Sequence, residues 1–148
     1  MAVLDIDRQT LLKRLDKIKH ELIKIERMEF DPSEILSDED IQDMIDRRMQ
    51  LAIEAAIDVA VMLAAAMQLP RKDEAADVFR LLEKEAVISK GMGEKMAKAT
   101  GFRNVLVHEY MDIDYKKAYG GEEKGNKITD LKRFCAEVVG ILEKEGKN

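Results

Sequence analysis

The sequence predicts an all-α protein, an up-and-down bundle of four or five helices forming a single domain over residues 1–148. Three observations predict it. Apolar residues recur three and four apart through Leu11, Leu15, Ile18, Leu22 and Ile25, and again through Ile128, Leu131, Cys135, Val138 and Leu142, each a narrow helical seam. The only prolines are Pro32 and Pro70, and the aromatic and β-branched runs that mark strands are short. Charged residues make up 37% of the chain, against roughly 25% in an average protein, yet 46% are apolar, which suits solvated helices around a real core.

The first helix is expected over residues 7–28, broken by Phe30-Asp31-Pro32-Ser33. Ser37-Asp38-Glu39-Asp40 then reads as an N-cap with acids in the first turn, where they meet the positive end of the helix dipole. The second helix, residues 38–67, is the longest and stops before Pro70, since the residue preceding a proline disfavours the α region. Its core face of Ile41, Ile45, Ala52, Ala55, Ala56, Val59, Leu63 and Ala66 is rich in small residues that let a neighbouring helix approach closely. A third helix over residues 73–85 presents Ala76, Phe79 and Leu82. After Gly91 and Gly93, a short helix over residues 94–99 is expected to end at Gly101 as its C-cap, with a new helix starting beyond it. Residues 120–126, Gly-Gly-Glu-Glu-Lys-Gly-Asn, read as a flexible polar loop, and the last helix is expected over residues 129–144.

Several function classes are narrowed by composition. Cys135 is the only cysteine, so an intramolecular disulfide and a cysteine-based zinc site within one chain are excluded, and its apolar setting suggests a buried, inert thiol. The longest uncharged run falls short of the roughly 18 residues of a membrane span, and no signal peptide precedes the first helix, so a cytoplasmic protein with no membrane partner is expected. A net charge of −5 argues against general coating of nucleic acid but leaves open RNA held by locally placed Arg and Lys.

The chemistry concentrates in Gly101-Phe102-Arg103-Asn104-Val105-Leu106-Val107-His108-Glu109-Tyr110. The other histidine, His20, lies in a charged helical run. A cation that holds phosphate, beside an imidazole titrating near neutral pH, is the minimum kit for phosphodiester chemistry without a metal or other cofactor. On a regular helix Asn104 and His108 share one face, and Arg103 and Tyr110, seven apart, share a neighbouring one. Arg103 and His108 stand about 140° apart, so they converge only if Arg103 reaches round or a partner chain closes the site. A purely structural reading also fits: Arg103 paired with a surface acid, His108 a boundary histidine, and the Tyr110 ring tucked into the bundle. On the second helix Arg47, Leu51, Glu54 and Asp58 form one stripe with Arg48 alongside. Either acid pairs with Arg47, Arg48 or Arg103 for structural reasons, or Glu54 or Asp58 orients Arg103 or His108.

Arg103-x4-His108-x-Tyr110, with Asn104 directly after the arginine, resembles the motif of HEPN domains, and in its Arg-x4-His-x-Tyr form the HepT-like toxins. Arg48-x-Gln50-x-Ala52-x-Glu54-x3-Asp58, Pro70, Phe79-x-x-Leu82, Ile113-Asp114 and Asp130-Leu131-x-x-Phe134 extend the resemblance from about Arg47 to the C-terminus. It implies a homodimeric, metal-independent endoribonuclease toxin with two motifs facing across a cleft, attacking RNA through the ribose 2′-OH. Arg103 and His108 would be catalytic, with Asn104 orienting His108 or the phosphate. It also implies a small nucleotidyltransferase antitoxin that transfers AMP from ATP onto Tyr110. The alternative is a catalytically silent HEPN module that binds nucleotide or serves such a nucleotidyltransferase as partner.

Overall fold

Acidic side chains open several of the helices. In the computed structural model, which describes residues 7–146, Asp7 accepts from the Thr10 amide at 3.0 Å and starts α1 (Arg8–Arg27). Asp38 accepts from the amides of Asp40 at 2.9 Å and Ile41 at 3.3 Å and starts α3 (Glu39–Ala66), as the sequence predicted. Between them the expected break holds a short α2 (Pro32–Ser37), where a proline at the helix start forgoes only a donor that would be unpaired anyway. α4 (Ala75–Lys84), α5 (Met92–His108), a 3-10 turn (Tyr110–Asp112), α6 (Tyr115–Tyr119) and α7 (Glu123–Gly146) follow, with no strand among the described residues.

Two expectations need correction. Gly101 is not a C-cap: α5 runs unbroken through it to His108. A mid-helix glycine costs about 1 kcal/mol relative to alanine. Here that cost is offset by packing on both sides, since Met96, Ala97 and Thr100 are buried before it and Leu106 after it. Nor is 120–126 a loop, because α7 already begins at Glu123. Gly121, at φ +58°, supplies the left-handed turn. Side chains from the first turns of α7 then bind the rest of the fold: Lys124 Nζ donates to the Met28 carbonyl at 3.3 Å and Lys127 Nζ to the Ala118 carbonyl at 2.7 Å.

α3 is the axis of the bundle and packs against α1, α2, α4, α5 and α7. Ala52, Ala55, Ala56, Ala60 and Ala64 are buried on it, so its neighbours approach its backbone closely. By length and apolar composition α3 could cross a membrane, but half of its most apolar stretch is buried inside the bundle. The α1 and α7 seams are buried as their spacing predicted, and Phe79 of α4 meets Phe134 of α7 edge-on at 5.4 Å. Cys135 is buried, and burial pushes its thiol up to about 11, so it carries no thiolate near neutral pH.

Buried polar groups lock helix to helix. Glu21 of α1 is fully buried and accepts from Lys17 at 2.9 Å and from Arg48 of α3 at 3.2 Å. Burial alone would raise its pKa, but the bonds to Lys17 and Arg48 outweigh that and hold it below the usual value. The connection from α4 to α5 is tied twice. Glu83 accepts from the amides of Gly91 at 3.0 Å and Gly93 at 2.8 Å, and Glu137 accepts from the Ser89 amide at 2.6 Å and its hydroxyl at 2.7 Å.

Three substitutions test this packing. A Cβ on Gly93 would lie 2.8 Å from Glu83 Oε1 and 3.1 Å from the Phe79 carbonyl oxygen. Gly93→Ala should therefore lower stability by about 1–3 kcal/mol in urea unfolding. Gly101→Ala, whose Cβ meets nothing within 4 Å, should raise it by up to about 1 kcal/mol. Because Glu21 is lowered from 4.5 in the fold, its stabilisation is present above that value and is lost as pH falls through the folded pKa. Glu21→Gln should thus destabilise by about 1–3 kcal/mol at neutral pH. Its gap to the wild type should close on acidification, as read by thermal melts across a pH series.

Candidate active site

The C-terminal half of α5 carries the motif, and α3 decides where its arginine points. Arg103 Nε donates to Glu54 Oε1 at 3.4 Å, and Arg103 Nη1 donates to Asn104 Oδ1 at 3.2 Å. The same Glu54 oxygen accepts from Gln50 Nε2 at 3.0 Å, so the carboxylate is itself held in place. Both partners of the ion pair are about a third exposed, at 33% and 34%. Such a pair contributes at most about 1 kcal/mol to stability. Its consequence is directional: the guanidinium is drawn towards α3 while its remaining N–H groups stay near the surface.

His108 is the last residue of α5 and is exposed. The helix is regular from Arg103 to His108, so the separation of about 140° persists, and no hydrogen bond joins the two residues among those described. Tyr110 departs from the expected geometry. The α5 helix ends at His108, and Tyr110 begins the 3-10 turn, so it no longer shares a helical face with Arg103. At 63% exposure its ring is not tucked into the bundle, which overturns the structural reading of that residue.

Of the two α3 acids, only Glu54 reaches the motif. Asp58 pairs with Arg14 of α1 at 3.4 Å, with both side chains about half exposed, because the register of α1 on α3 puts that turn beside the N-terminal half of α1. Arg48, in turn, serves Glu21. No group of three or more His, Cys, Asp or Glu suited to a metal occurs among the described residues.

Sequence reasoning missed a second anchor. Asp46, two turns before Glu54 on α3, accepts from the hydroxyls of Tyr115 at 2.5 Å and Tyr119 at 3.1 Å. Burial raises the Asp46 pKa, and burial together with the nearby Asp46 carboxylate raises both tyrosines, so the hydroxyls stay protonated donors. Tyr119 also meets Phe102 of α5 edge-on at 5.6 Å, and Lys127 lies over Phe102 at 4.8 Å. The segment bearing Tyr110 is therefore strung between two attachments to α3: Glu54 through Arg103, and Asp46 through α6. The i, i+4 spacing of Tyr115 and Tyr119, with an acid beside Ile45 on the long helix, was the available signal.

Residues 18–138 match the family described as ribonuclease HepT-like, and the chain belongs to that family. It is 27% identical over 104 residues to the mRNA nuclease HepT of Shewanella oneidensis, covering 70% of this chain and 78% of that protein. It is 28% identical over 111 residues to the tRNA nuclease HepT of Aphanizomenon flos-aquae, covering 75% and 74%. Among solved structures it resembles the cytosolic protein YutE of Bacillus subtilis, with a TM-score of 0.81 and 22% identity over 95% of this chain and 93% of that one. It also resembles the tri-AMPylated Shewanella oneidensis HEPN toxin from a complex with its MNT antitoxin, with a TM-score of 0.80 and 23% identity over 88% and 96%. These likenesses agree with the all-α, HEPN-like fold that the sequence predicted.

The second anchor yields a prediction. Asp46→Ala leaves two tyrosine hydroxyls without their carboxylate, at a cost of about 2–3 kcal/mol. Hydrogen exchange of the amides in residues 115–119 should speed up by roughly tenfold or more, while the middle of α3 keeps its protection.

Proposed function

We propose that this protein is a metal-independent endoribonuclease toxin, working as a homodimer and silenced by a small nucleotidyltransferase that adenylylates Tyr110. The observation that carries it is the Arg103 guanidinium, steered at the surface by Glu54 and Asn104 and followed one turn later by an exposed His108. Membership of a ribonuclease family and relatives named as mRNA and tRNA nucleases support the substrate. A likeness to a HEPN toxin bound to its antitoxin supports the partner.

In this mechanism Arg103 donates to the non-bridging oxygens of the scissile phosphate and stabilises the charge that develops there. The ribose 2′-oxygen attacks the adjacent phosphorus as its proton leaves. The bond to the 5′-oxygen then breaks, giving a 2′,3′-cyclic phosphate and a 5′-hydroxyl that takes up a proton. His108 carries one of these two proton transfers. The angle between Arg103 and His108 within one chain favours a composite cleft, in which a second copy's motif faces the first. Glu54 is a positioning residue for Arg103, and Asn104 holds the guanidinium from the other side. Adenylate on Tyr110 would add bulk and a negative phosphodiester beside the cleft, repelling RNA phosphate. The cytoplasm is the compartment in which such a toxin meets RNA, and the relative YutE is described as cytosolic.

The test is RNA cleavage by purified protein in a metal chelator. Arg103→Ala and His108→Ala should each lower kcat by about 10²–10⁴-fold. Tyr110→Phe should keep most activity and gain no AMP in intact-mass spectra after incubation with ATP and the nucleotidyltransferase. A wild type that accepts AMP on Tyr110 but cleaves RNA no better than His108→Ala would instead identify a catalytically silent partner module.

A further inference from the structure

A cavity of about 230 Å3 opens between α5 and α7, with α3 behind it. Its floor is apolar, formed by Met49 and Ile53 of α3 with Phe102 of α5. Its position is set by two neighbours of the candidate site. Ala99 on the cavity wall lies one helical turn before Arg103, and residues so spaced stand about 5–6 Å apart on one helix face. Ile53 immediately precedes Glu54, the carboxylate that steers Arg103. The cavity therefore lies about one turn N-terminal to Arg103 on the helix that carries it, without Arg103 in its lining, and on the side away from His108.

We propose that this cavity is a subsite for one nucleotide of the RNA, flanking the scissile phosphate on the Arg103 side; the proposal rests on the nuclease reading above. Size is the first argument. The cavity is smaller than the roughly 300–1,000 Å3 of pockets that enclose whole small molecules, and it suits a single base with its sugar at the mouth. Charge is the second. In a chain of net charge −5, Lys95 and Lys98 line this cavity from the helix that carries Arg103. Lys98 stands five residues before Arg103, about 7.5 Å along the axis and about 140° round the helix, so it can meet a phosphate at the cavity rim other than the one Arg103 holds. Behind them Lys127 is partly buried and its pKa is lowered by burial, so an entering anion would ease the cost of its charge.

The rim is mixed: Lys95, Lys98 and Lys127 donate, Glu123 and Asp130 accept, and Asn126 does both, so it can meet the polar edge of a base without selecting one base.

The test is direct binding of short, uncleavable 2′-O-methyl RNAs of varied sequence, followed by fluorescence anisotropy. The variants are Lys98→Gln, which removes an exposed charge, and Ala99→Leu, which fills the cavity with a good helix former. Wild-type melting curves for both establish that they fold. Each should weaken binding by about tenfold, Lys98→Gln with a shallower salt dependence and Ala99→Leu with an unchanged one. Dissociation constants within about twofold of wild type for both variants would overturn the subsite, as would a wild type that binds none of these RNAs. The nuclease reading is tested separately on cleavable RNA. A wild type that cleaves while both variants bind normally removes the subsite alone, and one that binds through the cavity but never cleaves removes the nuclease reading alone.

Discussion

Three polar attachments to α3 fix where everything else in this bundle sits. Arg48 receives the buried Glu21 of α1, Asp46 receives the Tyr115 and Tyr119 hydroxyls, and Glu54 receives Arg103. Alanines buried along the same helix let neighbouring backbones pack closely beside these contacts. Apolar burial supplies most of the stability but is non-directional, tolerating sliding and rotation of one helix on another. The carboxylates of Glu21 and Asp46 do not tolerate it, because a displaced partner leaves a desolvated charge unpaired, whereas the solvent-open Glu54–Arg103 pair adds direction more than stability. The attachments therefore convert a generic helical bundle into one register.

That register has a chemical consequence. α5 ends at His108, and the six residues before α6 are suspended between two attachments to α3. Arg103 is steered inwards by a carboxylate while His108 and Tyr110 are left exposed. A guanidinium paired this weakly is not committed to its acid, since the pair is open to solvent and contributes little. An incoming phosphate can share it, and Glu54 then orients the donor without holding it shut. The cavity beside Ala99 lies on the side of α5 away from His108, so the proposed groups wind round the helix instead of sharing one face.

Much of this was legible in the residues. The 3-and-4 spacing of the α1 and α7 seams, the Asp38 cap and the stop before Pro70 all became the elements expected, because each depends on contacts within a few residues. The ten-residue motif offered a candidate site for a similar reason: His, Asn and Tyr are scarce in this chain, and here all three fall between positions 104 and 110. Misreadings arose where distant packing outweighed local preference. Gly101 is a helix breaker by propensity but lies inside α5, since the residues on either side of it are buried. Residues 123–126 looked like loop but are helix, because Lys124 and Lys127 bind carbonyls from α1's end and from α6.

The sequence by itself determined the all-α class, the helix-forming seams, the inert cysteine and the identity of Arg103, Asn104, His108 and Tyr110 as the chemical group of interest. Each follows from residue type and from spacing along the chain. Only the tertiary structure decided which acid meets the arginine: Glu54 turns towards α5 while Asp58, one turn on, faces Arg14 of α1. It also decided that Tyr110 leaves the helix and that Asp46 anchors the segment behind it. The physical reason is that two acids on one stripe of a helix are equivalent until the angles and offsets of the packed neighbours separate them, and those depend on the whole core at once.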